Sequence, residues 1–247
     1  MPNTYFQFKQ FIVHQEQAAL KVSTDSCLFG AWAGQYVRND LYNVRSTGYD
    51  VRHVLDIGAG TGLLMMMLAQ QCDAQIDGVE LDEQSFHQAQ QNIRLSPWVN
   101  RLRLHHTDIR MYQPGQQYDF IISNPPFYEG DLRSTSETKN KAKHDTGLKL
   151  DELLQEVDRL LTKDGFFAVL LPFHRAELFI AKAAALHLHP DHQLLVRQST
   201  THSYFRAQLI FSRKEKEVQT EELSIKDASG QYTNDFVKLL KDYYLHL

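Results

Sequence analysis

The stretch Val54-Leu55-Asp56-Ile57-Gly58-Ala59-Gly60-Thr61-Gly62-Leu63-Leu64 decides the fold. A short apolar run enters three glycines at alternate positions and leaves them into the apolar segment Leu63–Ala69, which predicts a strand, a tight loop and a helix. Glycines there allow a sharp turn and let a ligand approach the backbone closely. The spacing is G-x-G-x-G and not the G-x-G-x-x-G of dinucleotide loops, which turns the reading away from a nicotinamide dehydrogenase. Downstream, Gln75-Ile76-Asp77-Gly78-Val79-Glu80 reads as a second strand ending in an acid 24 residues after Asp56, placed to accept ribose hydroxyls. A third strand, Leu102–His106, runs into Thr107-Asp108, where a carboxylate or a neighbouring amide can meet an adenine edge. Taken singly, acids at strand tips are ordinary solvated turns. Alternating helical and strand patterns through the middle of the chain predict a parallel sheet covered on both faces.

Further along, Tyr118-Asp119-Phe120-Ile121-Ile122-Ser123-Asn124-Pro125-Pro126-Phe127 ends a β-branched run in an amide, two prolines and a ring. The prolines fix φ and remove N–H donors, so the turn is stiff and its carbonyls can point outward. Asn124 adds a side-chain acceptor and Phe127 a flat apolar face. Two convergent acceptors beside a stacking ring would grip an –NH2 on an aromatic base and hold its nitrogen toward an electrophile. A plain strand ending in an Asn-Pro turn is the alternative on these residues alone.

The glycine loop, the ordered acids Asp56, Glu80 and Asp108, and Asn-Pro-Pro-Phe together resemble the class I S-adenosylmethionine-dependent methyltransferases over about residues 51–213. The last motif marks the branch acting on exocyclic or amide nitrogens. The flanking segments narrow this. Phe6-Gln7-Phe8-Lys9-Gln10-Phe11, Leu20-Lys21-Val22-Ser23-Thr24-Asp25, Leu28-Phe29-Gly30-Ala31-Trp32-Ala33, Ser96-Pro97-Trp98 and residues 232–247 resemble the bacterial tRNA1(Val) (adenine-37-N6)-methyltransferase family, almost end to end. Ser23 stands where Gly is expected and Phe127 where Tyr is common, the latter keeping the ring.

The resemblance implies a doubly wound, mostly parallel seven-stranded sheet in one domain over residues 1–247. Residues 1–50 would cover the cofactor, 51–213 form the Rossmann-like core and 214–247 extend it. It implies S-adenosylmethionine as cofactor and the anticodon loop of a valine tRNA as partner, methylated at N6 of adenine 37. Catalysis would fall to Asn124, Pro125, Pro126 and Phe127, with the Asn124 side-chain oxygen and the Pro125 carbonyl accepting the two N6 hydrogens. Lys21, Thr24 and Asp25 would lie over the methionine end of the cofactor, and Asp56, Gly58, Gly60, Gly62, Glu80, Leu81, Asp108, Ile109 and Asn124 would complete its site. Read from the residues alone, Ser23-Thr24-Asp25 is equally a helix N-cap. A protein-glutamine methyltransferase, a DNA adenine methyltransferase and a non-catalytic cofactor- or RNA-binding module remain as alternatives.

Composition bounds the rest. At 247 residues and 43% hydrophobic the chain suits one well-buried α/β core, and we expect a monomer. No basic start followed by an apolar run and no stretch of eighteen apolar residues occurs, so a cytoplasmic protein with no membrane partner is expected. Cys27 and Cys72 are the only cysteines and predict neither a disulfide framework nor a zinc site. A net charge of −4 counts against a nucleic-acid partner, yet Arg133, Lys139, Lys141, Lys143, His144 and Lys149 crowd residues 128–150. Glu129, Asp131, Glu137 and Asp145 dilute them, so a solvated loop and an RNA clamp are both compatible readings. Arg94, Arg101, Arg103, Arg213, Lys214 and Lys216 are second-rank cations for RNA. His187, His189 and His192 around Pro190-Asp191 read as a helix-to-strand turn with exposed imidazoles and no metal. Met65-Met66-Met67 read as core filler, and Trp32 and Trp98 as anchors. Tyr204, Phe205 and Arg206 are placed just before a last strand, where contact with RNA and core packing of the two rings are both compatible readings, the second favoured.

Overall fold

A computed structural model describes residues 3–18, 20–38, 51–126 and 148–247. The chain opens with a two-stranded antiparallel hairpin, β1 (Tyr5–Gln7) and β2 (Ile12–His14), followed by helix α1 (Thr24–Val37). Ser23 caps α1, accepting the Ser26 N–H at 3.4 Å, so the predicted cap is present. From Ser26 to Val37 nearly every residue of α1 is buried, as expected of a helix apolar all round.

The glycine stretch folds as read. Strand β3 (His53–Ile57) leads through the loop into α2 (Leu63–Ala69), and β4 (Gln75–Glu80), α3 (Glu83–Leu95), β5 (Leu102–His106) and β6 (Tyr118–Ser123) follow. After the segment that ends at residue 147 come α4 (Leu150–Leu160), β7 (Leu161–Pro172), α5 (Ala176–Ala184), β8 (His189–Ser199), β9 (Tyr204–Ser212), β10 (Gln219–Lys226) and α6 (Asn234–Leu240). The main sheet runs β10-β8-β9-β7-β6-β3-β4-β5, parallel except where β9 pairs antiparallel with β7 and β8. Its doubly wound, mostly parallel design is the expected one, with eight strands in place of seven. The additional strand is β10, from the stretch expected only as an extension after residue 213. Its sequence hid it: Leu223 and Ile225 are its only fully buried residues, and the other six are polar side chains on a wet edge.

Alternate residues of the central strands feed two cores. On one face Val54, Phe120, Ile122, Ala168 and Ile210 pack with α1, α2 and α6, and on the other Leu55, Ile121, Phe167, Val169 and Leu209 pack with α4 and α5. Met65, Met66 and Met67 are fully buried. Met65 packs so close to β4 that a Cβ on Gly78 would lie 2.4 Å from its sulfur, and a larger residue there would have to displace the thioether.

Three of the flanking segments that carry the family resemblance, 6–11, 96–98 and 232–247, meet in one aromatic cluster. Phe8 stacks on Phe11 at 4.5 Å between centroids, Trp98 meets Phe11 edge-on at 5.7 Å, and Tyr244 meets Phe6 at 5.4 Å. The Lys9 N–H donates to the Tyr243 carbonyl at 2.8 Å, tying the two ends of the chain together. Two expectations change. Strand β8 starts at His189, so the turn is confined to residues before it. His192 points inward, 2.7 Å from Gln219 Oε1, 3.0 Å from Asp191 and against the Tyr36 ring, and is not an exposed turn imidazole. Tyr204, Phe205 and Arg206 belong to β9 itself, with the two rings partly exposed.

Candidate active site

Register places four strand ends in one row. Ile57 pairs with Ser123 on one side and Val79 on the other, and Glu80 pairs with His106. Asn124, Gly58, Glu80 and, just past β5, Asp108 therefore follow one another along the carboxyl edge, with neighbouring strands about 4.8 Å apart. The chain winds from β3 outward to β5 and then returns to the far side of β3 as β6. The β3–β6 boundary is thus a topological switch point, where open α/β sheets bind ligands.

The glycine loop owes its shape to backbone conformation. Gly58, Gly60 and Gly62 have φ of +78°, +57° and +78°, values that strain any side-chain-bearing residue. A Cβ on Gly58 would meet nothing within 4 Å, so what the position demands is the left-handed turn, and the backbone there stays open to a ligand. Gly58 and Ala59 donate to the Val79 carbonyl at 2.9 and 3.1 Å. Glu80 accepts the Gly60 N–H at 2.7 Å through one oxygen and the Asp82 N–H at 2.8 Å through the other, joining loop and β4 tip. Behind the loop, Asn92 donates to the carbonyls of Thr61 at 2.9 Å and His14 at 2.8 Å, and accepts the His14 N–H at 2.9 Å. Asn92 was not singled out in the sequence, since a lone Asn inside a helix gives no signal.

Asp56 is wholly buried beneath this loop, and neither carboxyl oxygen has a hydrogen-bond partner. Burial pushes its pKa up to about 8 and the nearby Glu80 carboxylate adds to the rise. The Met65 amide pulls the other way without closing a hydrogen bond in good geometry. An orphaned buried acid is short of a donor, and an unpartnered polar group of this kind is costly to bury.

Asp108 behaves differently. Its carboxylate accepts the Arg110 N–H at 3.0 Å and both arms of the Arg110 fork, and Arg110 also reaches Glu152 at 3.0 Å. The hydrogen bonds from Arg110 hold its carboxyl below the usual range. The acid thus faces a partner of its own, while Ile109 beside it is buried and Leu81, after Glu80, is exposed.

On the acceptor side, the start of α1 abuts the end of β6. The Asn124 amide donates to Ser26 Oγ at 3.5 Å, bringing Thr24 and Asp25 into its neighbourhood. Asp25 pairs with Arg206 at 2.7 Å, and Lys21 and Thr24 are exposed. Pro125 is buried and Pro126 exposed. Phe127 and, of the cation-rich segment, Arg133, Lys139, Lys141, Lys143 and His144 lie outside the described residues. Several second-rank cations prove structural. Arg101 caps the end of α2 through the carbonyls of Ala69, Cys72 and Ala74, Arg213 pairs with Asp158 at 2.7 Å, and Lys216 with Asp191 at 2.6 Å. Among the described residues no group of three or more His, Cys, Asp or Glu is arranged to hold a metal ion, and no helix is long and apolar enough to cross a membrane.

This fold, with an open glycine loop, an acid at the next strand tip and an Asn-Pro-Pro turn across the switch point, is that of a class I S-adenosylmethionine-dependent methyltransferase. Residues 41–170 match the Methyltransferase small domain family. The chain is 36% identical over 246 residues to the tRNA1(Val) (adenine(37)-N6)-methyltransferase of Flavobacterium johnsoniae, covering 98% of this chain and 100% of that one. It is 37% identical over 251 residues to the protein of the same name from Klebsiella pneumoniae, covering 100% and 97%. A solved structure assigned to the class I S-adenosylmethionine-dependent methyltransferases, from Listeria monocytogenes, shares the fold with a TM-score of 0.56 at 15% identity, over 83% of this chain and 68% of that one. The chain belongs to the tRNA1(Val) (adenine(37)-N6)-methyltransferase family. The residues fit its cofactor: the orphaned Asp56 carboxyl lacks a donor, and the Glu80 carboxylate stands beside open glycine backbone.

Proposed function

We propose that this chain transfers a methyl group from S-adenosylmethionine to N6 of adenine 37 in the anticodon loop of a valine tRNA. The observation that carries the reading is the adjacency of Asn124 and the glycine loop across the switch point, set by the pairing of Ile57 with Ser123. When bound, S-adenosylmethionine supplies a methyl group made electrophilic by its sulfonium. We assign its binding to Gly58, Gly60, Gly62, Asp56 and Glu80, with Leu81 and Ile109 as apolar walls and Lys21, Thr24 and Asp25 at the methionine end. Asp108 acts by shaping its turn through Arg110.

The adenine N6 lone pair is delocalised into the ring, so this nitrogen is a poor nucleophile. Asn124 Oδ1 and the Pro125 carbonyl accept its two hydrogens and favour tetrahedral geometry, and both hydrogen bonds strengthen as positive charge develops on nitrogen. Prolines at 125 and 126 keep the turn stiff. No strong base is required, because the alkylated amine is acidic enough to lose its proton to water. Phe127 stacks on the extruded base, worth about 1–3 kcal/mol in single-strand recognition. An anticodon loop is already partly unpaired, which lowers the cost of extrusion. The protein works in the cytoplasm as a single-domain monomer.

The test is transfer of labelled methyl from S-adenosylmethionine to total tRNA from a strain lacking the gene, with nucleoside mass spectrometry of the product. N6-methyladenosine at position 37 of one valine tRNA is expected. Label confined to DNA or to a glutamine of a protein would keep the amine chemistry and overturn the substrate. Cofactor binding with no transfer to any of these would favour a binding module.

A further inference from the structure

A chain of hydrogen bonds runs from β9 to Asn124 through the capped start of α1. Arg206 Nε donates to Asp25 Oδ2 at 2.7 Å, and the Ser23 hydroxyl donates to Asp25 Oδ1 in a short hydrogen bond. Ser23 Oγ lies 2.6 Å from Ser26 Oγ, which lies 3.5 Å from Asn124 Nδ2. The direction of each bond follows from proton counting. Asp25, ionised in its pair with Arg206, can only accept, so Ser23 gives it its single proton. Ser26 must then donate to Ser23. With that proton committed, the Ser26 oxygen can only accept, and of the two ends of the Asn124 amide only the NH2 can give.

We propose that Ser26, polarised through Ser23, Asp25 and Arg206, is a positioning residue that fixes the Asn124 amide with its NH2 turned inward and its carbonyl oxygen presented to the acceptor nitrogen. An amide turned over by 180° would offer its own NH2 to the substrate NH2, donor against donor, and lose the contact on which methyl transfer depends. The proposal rests on Asn124 being the group that grips the acceptor nitrogen. It extends that reading to Ser26, 98 positions from Asn124 in sequence, and through Ser23 and Asp25 to Arg206, 181 positions from Asp25.

The experiment compares Ser26→Ala, Ser26→Thr and Ser23→Ala with the parent in methyl transfer to tRNA. Cofactor affinity is followed by titration and folding by thermal unfolding. Loss of one orienting hydrogen bond should lower kcat by about tenfold in Ser26→Ala while KM for tRNA and Kd for the cofactor move by less than about twofold. Ser26→Thr keeps the hydroxyl and should recover most of the rate. Ser23→Ala should lower kcat in the same direction, since Ser26 could then either accept from the amide NH2 or donate to the amide oxygen, and both orientations of Asn124 would be held. In an Asn124→Ala background Ser26→Ala should cost nothing more, the non-additivity expected of residues acting through one group. A Ser26→Ala enzyme as fast as an active parent, or an equal loss in the Asn124→Ala background, would overturn the positioning role alone. A parent that labels no tRNA defeats the functional reading and this inference with it.

Discussion

The two sides of the switch point, the proposed cofactor side and the proposed acceptor side, are built in different ways. On the cofactor side, a contiguous stretch from β3 to the tip of β4 supplies the open glycine backbone, the buried Asp56 and the Glu80 clasp. Its geometry is fixed by left-handed glycines and short backbone hydrogen bonds. On the acceptor side, Asn124 takes its surroundings from the start of α1 and from β9, and side-chain hydrogen bonds are the glue. The first side is a property of local sequence and the second a property of topology. The expected difference in function is that cofactor affinity and turnover fail independently.

Asn124→Ala breaks the acceptor side and should have the largest effect. Removing one preorganised hydrogen-bonding group aimed at developing charge typically lowers turnover by about 10²–10³-fold. Cofactor affinity measured by calorimetry should stay near the parent value, because the lost acceptor serves the transition state. Equal losses in turnover and affinity would mean that the two sides are one site energetically. Glu80→Ala attacks the other side. It removes the acceptor for the Gly60 and Asp82 amides as well as the proposed ribose contact, so cofactor binding should weaken by about 1.5–3 kcal/mol. Unchanged affinity in the titration would take Glu80 out of the cofactor site.

The same contrast explains what could be read before the fold was known. The strand-loop-helix around Gly58, Gly60 and Gly62 was legible because glycine spacing encodes backbone conformation directly, and the acid at position 80 followed from the length of one βαβ unit. The end of β6 before Asn124-Pro125-Pro126 was legible too, since prolines lack the N–H that would continue the strand pairing. Ser26 was invisible as a partner of Asn124, since nothing in a helix-start serine announces which strand end it will meet 98 residues later. Arg206 stayed open to an RNA reading because charge alone cannot tell an ion pair made across the sheet from a solvated cation. Arg101 and Arg213 misled in the same way. Strand β10 was missed because an edge strand needs only two buried apolar residues. Asp108 was given the role its strand-tip position suggests, and Arg110 two residues on claims its carboxylate.

Asp56 gives the most delicate test of the cofactor side, because its burial without a partner must appear as a pH dependence of stability. Its pKa is about 8 in the folded protein against an ordinary 3.8. Below about pH 4 both folded and unfolded chains hold the proton, and the group favours neither. Between about pH 4 and 8 the unfolded chain gives the proton up while the folded one retains it, so the unfolded state binds fewer protons and stability falls as pH rises. The ceiling on this loss is about 1.4 kcal/mol per pH unit, and it levels off once the folded carboxyl also ionises above about pH 8. Asp56→Asn removes that term while keeping the shape. In urea unfolding at a series of pH values, the variant's stability relative to the parent should therefore climb from pH 5 to 8 and then flatten. Carboxylates not coupled to Asp56 contribute equally to both proteins and cancel in the difference, and Glu80 is the one neighbour whose charge acts on it. Parallel curves would mean that the acid is ionised in the folded protein with a donor of its own, and the cofactor side would then be as fully partnered as the acceptor side.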